Sequence, residues 1–141
     1  MKKFKFILLY IWQLIQNIVG LLVINYYKPQ RVHTLDNGVK IYYSHKMTGG
    51  ISLGNYCLVN TGHYRKDINE SLKRDTVRHN AIGHTKQSRL LGPLYLIVIG
   101  IPSLIWNGIY GSDSVIKPTK NGYYRFYTEN WADSLAGVKR D

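Results

Sequence analysis

Two polar stretches of the chain carry residue types that bind metal ions, and the first of them ends at His84 in the sequence RHNAIGH. Two histidines four residues apart lie one above the other on a helix, so both can bind one zinc ion. A glutamate directly after the first histidine would be the general base of a hydrolysis reaction. Four residues before His84 the chain has Asn80, and Ala81 takes the place of the glutamate. The stretch therefore keeps one histidine of such a helix and departs from it at the two other positions.

The second stretch, from Glu129 to Asp133, reads ENWAD and fits the Glu-x-x-Ala-Asp pattern of one branch of zinc peptidases, the gluzincins. In that branch the glutamate is the third zinc ligand, and the aspartate orients the first histidine through a hydrogen bond. By this resemblance His84 and Glu129 are expected at metal-ligand positions. Asn80 would then occupy the position of the first ligand, with Asp133 behind it.

Both departures replace residues that zinc binding and hydrolysis require. The neutral amide oxygen of Asn80 is a weak donor for zinc beside imidazole. Ala81 cannot accept a proton, and general-base assistance is worth about 100- to 10,000-fold in rate. We therefore expect zinc to be weakly bound or absent, and peptidase activity to be impaired.

His79 is an alternative first ligand. It lies five residues before His84, a step that places the two side chains about 140° apart on a regular α-helix. A π-bulge, which is rare but occurs frequently at functional sites, would realign them. An active metallopeptidase that uses His79 therefore stays open as a hypothesis, although its base would have to be a residue other than Ala81.

The elements that must position these residues begin with an apolar segment at 1–27. About twenty apolar residues can cross a bilayer as a helix, and we interpret this segment as a retained membrane anchor. Gln13, Gln16 and Asn17 interrupt it on one helical face. Because polar groups at that depth need partners, this face is expected to contact protein or the membrane interface.

Residues 28–89 form the next predicted unit. Two β-rich runs, 39–43 and 51–59, predict a β-hairpin or a small antiparallel sheet with a break at Gly49-Gly50 between them. The pattern then predicts a helix from about Asn69 to Leu91, which carries the histidine stretch. Three further histidines are expected to be surface or interface residues: His33, His45 and His63.

Residues 90–110 form a second apolar segment, which glycine and proline interrupt. Two half-helices joined at 100–102 and one kinked span are both compatible with an interior proline. A single crossing would place His84 and Glu129 on opposite sides of a hydrocarbon layer about 30 Å thick. A shared site therefore requires the segment to double back, or to pack as a buried hairpin against the N-terminal anchor. The tail, 111–141, is expected to end in the helix of the Glu-x-x-Ala-Asp motif.

The chain is strongly basic, with 19 lysines and arginines against 8 acidic residues. No nucleic-acid partner is expected, because the basic residues are scattered and no recognition motif accompanies them. With two apolar segments present, the charge favours the lipids of an anionic membrane surface as partners. Cys57 is the single cysteine, which excludes an internal disulfide and a four-thiolate zinc site.

These pieces together resemble a group of small bacterial membrane proteins. In those proteins an apolar anchor with a Trp-Gln-Leu core precedes a hairpin, a His-Glu-x-Gly-His helix, a Leu-Gly-Pro-Leu-Tyr-Leu segment and a Tyr-Thr-Glu-x-Trp-Ala-Asp tail. The matching residues are 12–14, 49–54, 83–84, 91–96 and 127–133. The resemblance implies a gluzincin-like site in a bacterial inner-membrane protein.

We predict an α+β protein with a zincin-like active-site helix, a small β-hairpin or sheet, and two apolar, membrane-associated helical segments. Its predicted function is that of a membrane-associated zinc metallopeptidase-like protein, catalytically impaired, that still binds a peptide or protein ligand. The alternative is a non-enzymatic structural or interaction protein of the membrane that binds anionic lipid or a partner protein. The positive-inside rule would keep the basic regions 1–5, 28–89 and 139–140 on the cytoplasmic side.

Overall fold

A computed structural model of the chain describes residues 2–44, 46, 50–59, 70–116 and 118–141. Within these ranges helices surround a four-stranded sheet, which confirms the α+β class. Several predicted features fall outside the described residues: the Gly49 half of the predicted break, the histidines at 45 and 63, and the predicted helix start at Asn69.

The N-terminal apolar segment forms two helices instead of one straight anchor. α1 spans Lys2–Trp12 and α2 spans Leu14–Tyr27, with an angle of 81° between them. The bend falls at Gln13, whose side-chain amide donates to the carbonyl oxygen of Leu9 at 3.1 Å. Among the described residues no single helix is long and apolar enough to cross a membrane, whereas this bent pair passes the same test when its two helices are counted together.

α2 turns its polar side chains toward the protein and its apolar side chains outward. Gln16 and Asn17 are fully buried, while Ile15, Ile18 and Leu22 are 50–63% exposed. This confirms the prediction that the polar face of the segment contacts protein. The arrangement is the reverse of that on a helix at a water-exposed surface, where the apolar face is the buried one.

The sheet has the strand order β1-β2-β4-β3. Its strands are β1 (Gln30–Thr34), β2 (Lys40–Tyr43), β3 (Gly50–Leu53) and β4 (Tyr56–Val59). β1 pairs antiparallel with β2 and β3 pairs antiparallel with β4, while β2 and β4 are parallel. The run predicted at 51–59 is thus two strands, because Gly54, with φ of +63°, forms a tight turn with Asn55 inside it.

A helix that we call the site helix packs against this sheet. It consists of α3 (Glu70–Arg78), a π-helical segment (His79–His84) and α4 (Thr85–Leu91), which follow one another directly. Ala81 is fully buried and joins the helix to the sheet. The hydrophobic core at this contact consists of Val39, Ile41, Cys57, Val59 and Ala81.

The last helix, α7 (Tyr127–Ala136), crosses the site helix at Gly83. A Cβ atom at position 83 would lie 2.3 Å from the carbonyl oxygen of Ala132, so a residue with a side chain cannot occupy this crossing without displacing α7. The close approach brings the Glu-x-x-Ala-Asp motif beside the histidine stretch.

The second apolar segment turns at its start and then continues as one helix. A 3₁₀ turn, Gly92–Leu94, precedes a π-helical stretch, Leu96–Gly100, which leads directly into α5 (Ile101–Tyr110). The predicted junction at 100–102 is therefore helical. Since Pro102 has no N–H for the carbonyl of Val98, the side-chain hydroxyl of Tyr127 donates to that oxygen instead, at 2.6 Å.

The chain doubles back after this helix, as a shared site requires. The π-helical stretch of 5 residues and α5 of 10 residues together extend about 22 Å, which is less than the hydrocarbon thickness of a bilayer. The chain then returns through α6 (Asp113–Ile116) and a 3₁₀ turn (Tyr123–Arg125) to α7. His84 and Glu129 consequently meet.

Candidate metal centre

Three buried side chains converge where the site helix and α7 cross. His79, His84 and Glu129 each offer one ligand atom, and these atoms all lie within 4.8 Å of one another. Glu129 Oε2 is 2.8 Å from His79 Nε2 and 3.3 Å from His84 Nε2. All three residues are at most 4% exposed. This group could hold a metal ion.

The π-helical segment is what makes His79 a member of the group. A five-residue step separates the two rings on an α-helix, but a π-helix pairs residues five apart and so places them on the same face. The imidazole rings of His79 and His84 meet edge to face, with their centroids 4.7 Å apart. The alternative ligand considered from the sequence is therefore the one that the structure provides.

The predicted placement of Asn80 is corrected by the same geometry. His79, not Asn80, contacts Glu129. The side-chain amide of Asn80 instead donates to the carbonyl oxygen of Thr76 at 2.9 Å, one turn back on the same helix. A four-residue count from His84 gave the wrong first ligand because it assumed regular α-helical geometry.

The residue that corresponds to the predicted general base also changes, from Ala81 to Asn80. Once His79 is the first histidine, the residue directly after it is Asn80, and Ala81 becomes a core residue with no exposed surface. Asn80 is 4% exposed and packs against β3, where a Cβ atom at Gly50 would lie 2.5 Å from the Asn80 amide nitrogen. The residue directly after His79 is therefore a buried neutral amide.

Each histidine is oriented by a hydrogen bond at its other ring nitrogen. His79 Nδ1 lies 2.7 Å from Asp133 Oδ1, and His84 Nδ1 lies 2.7 Å from Gln87 Oε1. When Nδ1 of each ring donates to these oxygens, its Nε2 atom, which faces Glu129 Oε2, is the atom that would bind a metal ion. The predicted role of Asp133 behind the first histidine is thus found, with His79 as that histidine.

Asp133 and Gln87 are themselves held in place. Arg140 donates two hydrogen bonds to the Asp133 carboxylate, at 2.9 and 3.1 Å, and its guanidinium lies 3.6 Å from the ring centroid of Tyr124. The Gln87 amide nitrogen donates to the carbonyl oxygen of Thr128 at 2.9 Å. Nothing in the sequence pattern pointed to Gln87 or Arg140, since neither belongs to the two motifs.

The third candidate ligand, Glu129, is oriented by two hydroxyl groups. Ser103 and Thr128 both donate to Glu129 Oε1, the latter at 3.0 Å. Both bonds occupy the same oxygen, so Oε2 remains directed at the two histidines. Ser103 lies on α5, which means that the second apolar segment takes part in building the site.

The surroundings of the site favour the charged forms of Glu129 and His79. Burial by itself would raise the pKa of Glu129, but the charge on His84 and the hydrogen bonds from both histidines hold it well below its usual range. Burial opposes protonation of His79, yet its hydrogen bonds to Asp133 and Glu129 raise its pKa. Glu129 is thus ionised, and a cation between it and the histidines would replace the proton that His79 otherwise attracts.

Side-chain hydrogen bonds connect the N-terminal segment to the site helix. Ser88, next to Gln87, donates to Gln13 Oε1 at 2.7 Å. Gln16 donates to the carbonyl oxygen of Gly92 at 2.6 Å. The polar face of α2 therefore supports α4, the part of the site helix that orients His84.

Comparisons with protein-family models, with curated proteins and with solved structures found no match to this chain. A function is therefore inferred from the geometry of the site and from the chemistry of its residues.

Proposed function

We propose that this protein is a membrane-associated zinc-binding protein with a gluzincin-like metal centre that has lost its general base. The observation that carries the proposal is the buried convergence of His79, His84 and Glu129, with a hydrogen-bond partner behind each histidine. Two imidazoles and one carboxylate form the ligand set of one class of zinc hydrolases, in which a fourth position stays open.

Zinc is the metal that this donor set favours. Imidazole nitrogen suits zinc, whereas calcium and magnesium prefer sites built only from oxygen ligands. When bound, zinc would supply Lewis-acid chemistry that polarises a carbonyl group. In the chain itself, Asp133 and Gln87 hold the imidazoles in the tautomer that metal binding needs, and Ser103 aims the carboxylate.

The proposed loss of catalysis follows from Asn80. The residue after the first histidine would have to accept a proton, and a carboxamide does not do so at neutral pH. We therefore propose that the centre binds a peptide or protein ligand without cleaving it efficiently. β3 is the end strand of the described sheet and its Gly50 packs against Asn80, so an extended peptide that added to this edge would pass beside the metal.

Zinc content and gain of function test the proposal together. The purified full chain should contain close to one zinc per molecule and lose it to a chelator. Asn80→Glu should then introduce chelator-sensitive hydrolysis of a casein-type substrate, whereas Asn80→Gln, which adds the same length without a charge, should not. Absence of zinc from the wild-type protein would contradict the metal centre. Zinc without hydrolysis in Asn80→Glu would contradict the assignment of Asn80 to the base position.

The proposed location is a membrane, with the bacterial inner membrane and cytoplasmic basic regions as the specific expectation. The support is the reversed polarity of α2 together with the outward apolar side chains of α1 and α5. Most of α1 is exposed although it carries large apolar side chains, such as Phe4 and Ile7, which are 64% and 53% exposed. Extraction of isolated membranes with alkaline carbonate should leave the protein in the pellet, and release into the supernatant would contradict the proposal.

A second candidate is a non-enzymatic structural or interaction protein of the membrane. The net charge of +11 favours it, because basic side chains near the surface attract anionic lipid headgroups. The two candidates differ in the need for metal. If the His84→Ala variant binds vesicles and folds as the wild type does, and the wild type holds no zinc, the structural candidate replaces the first.

A further inference from the structure

A cleft of about 290 Å³ opens at the carboxyl-terminal end of α5, and none of the three candidate metal ligands lines it. It is lined by Trp106, Tyr110, Asp113, Asn121, Gly122, Tyr123 and Arg125. Three aromatic side chains therefore share one cleft with one acid and one base.

The framework of the cleft is held by internal contacts. The indole nitrogen of Trp106 donates to the carbonyl oxygen of Tyr123 at 2.9 Å, and Asn107 donates to the Tyr123 hydroxyl at 3.1 Å. The Arg125 guanidinium lies over Trp106, 5.3 Å from the ring centroid, which positions it at the rim of the cleft. The aromatic walls are thus preformed.

The two charged groups of the cleft, Asp113 and Arg125, do not form an ion pair with each other. Among the ion pairs of the described residues, none involves Asp113 or Arg125. Both nevertheless line the same cleft. A ligand that carries a negative and a positive group close together would satisfy both charges.

The surface that leads to the cleft is apolar. Ile101, Leu104, Ile105 and Ile109 of α5 are 55–65% exposed, and they precede Tyr110 on the same helix. Trp and Tyr are enriched where a membrane helix reaches the headgroup layer. If acyl chains cover α5, the cleft lies at the level of their headgroups.

We infer that this cleft binds the headgroup of a zwitterionic phospholipid with a primary ammonium group, phosphatidylethanolamine in chemical terms. Arg125 would hold the phosphate and Asp113 would accept hydrogen bonds from the ammonium. A quaternary ammonium has no N–H to donate to Asp113, and an anionic glycerol headgroup carries no positive charge to compensate that carboxylate. This inference rests on the membrane location proposed above and is independent of the metal centre.

The test is lipid retention by the full chain. The protein is reconstituted in vesicles with equal fractions of phosphatidylethanolamine, phosphatidylcholine and phosphatidylglycerol, extracted in mild detergent, and examined by native mass spectrometry. Wild type should retain phosphatidylethanolamine at least about fivefold above the other two lipids. Arg125→Gln and Asp113→Asn should each abolish the preference, whereas the matched controls Arg74→Gln and Asp36→Asn, on exposed residues outside the cleft, should keep it.

Other outcomes of the lipid-retention experiment would overturn different parts of the inference. Preferential retention of phosphatidylglycerol, or of no lipid in particular, would overturn the headgroup assignment while leaving membrane binding intact. Binding of soluble phosphoethanolamine by the wild type without retention of the lipid would overturn the lipid as its source. Failure to enter any vesicle would instead contradict the membrane location itself. Thermal unfolding of the variants, compared with the wild type, shows that a lost preference does not reflect misfolding.

Discussion

At the scale of single residues, the proposed metal centre depends on whether His79 or Asn80 lies on the same face of the helix as His84. The sequence motif was sufficient to predict His84, Glu129 and Asp133, because their order and spacing match a known ligand pattern. It was not sufficient to choose between His79 and Asn80. That choice depends on whether the helix is α-helical or π-helical at this point, and residues 79–84 are π-helical.

Removal of the charge behind His79 should weaken metal binding. In Asp133→Asn the imidazole loses its carboxylate partner and becomes a less basic ligand, so zinc affinity should fall about 10- to 100-fold. Competition with a chromophoric chelator measures the change, and Asp36→Asn, on an exposed turn, is the matched control. Unchanged affinity in Asp133→Asn would contradict the orienting role of this carboxylate.

The stability of the metal-free protein should depend on pH through His79 and Glu129. In the metal-free protein the raised pKa of His79 contributes stability that is complete below pH 6.5 and is lost as the pH rises through the raised value. The lowered pKa of Glu129 contributes stability that is complete above pH 4.5 and is lost as the pH falls. The two contributions are both complete between these values.

Zinc competes with the proton on His79, so its stabilising effect should grow as the pH rises toward the raised pKa of that imidazole. Differential scanning fluorimetry from pH 5.5 to 8.5, with and without zinc, measures the increase in Tm. An increase in Tm that stays constant across this range would mean that zinc does not displace that proton.

At the scale of elements, the site exists because three helices meet at it. The site helix supplies both histidines, α7 supplies Glu129, and α5 supplies Ser103. Sequence reasoning predicted the first two of these elements, since periodicity and motifs are local properties. Ser103, Gln87 and Arg140 were missed because their roles arise from contacts between distant parts of the chain.

The crossing of the site helix and α7 should be sensitive to one methyl group. In Gly83→Ala the added Cβ would lie 2.3 Å from the Ala132 carbonyl oxygen, and relieving such a clash typically costs about 1–3 kcal/mol. Gly108→Ala is the matched control, since a Cβ there has no atom within 4 Å and alanine favours a helix by up to about 1 kcal/mol. The free energy of unfolding in detergent should fall for the first variant and not for the second. Equal stability of both variants would show that α7 does not pack as closely as described.

At the scale of the whole molecule, the exposed apolar side chains of α1, α2 and α5 support the proposed membrane location. The sequence predicted apolar segments and a polar stripe on α2. It did not predict the bend of 81° at Gln13, because a buried glutamine that bonds its own helix backbone depends on the tertiary packing around it. The outcome is a bent pair whose polar face supports α4 while its apolar face stays exposed.

A charge on that exposed face should reduce membrane binding. Ile18 is 50% exposed, and an aspartate at the centre of a membrane helix costs about 2.5–3.5 kcal/mol. Vesicle sedimentation should therefore show at least a tenfold weaker partition for Ile18→Asp. The control Asn130→Asp adds the same charge on the exposed side of α7 and should bind as the wild type does. Equal partition of both variants would contradict contact between α2 and lipid.

The most direct test of the account is the zinc content of two neighbouring variants, His79→Ala and Asn80→Ala, purified in parallel and measured by atomic emission. If the π-helical segment places His79 at the metal, His79→Ala should lose nearly all of its zinc and Asn80→Ala should retain it. Retention by His79→Ala together with loss from Asn80→Ala would contradict the central claim.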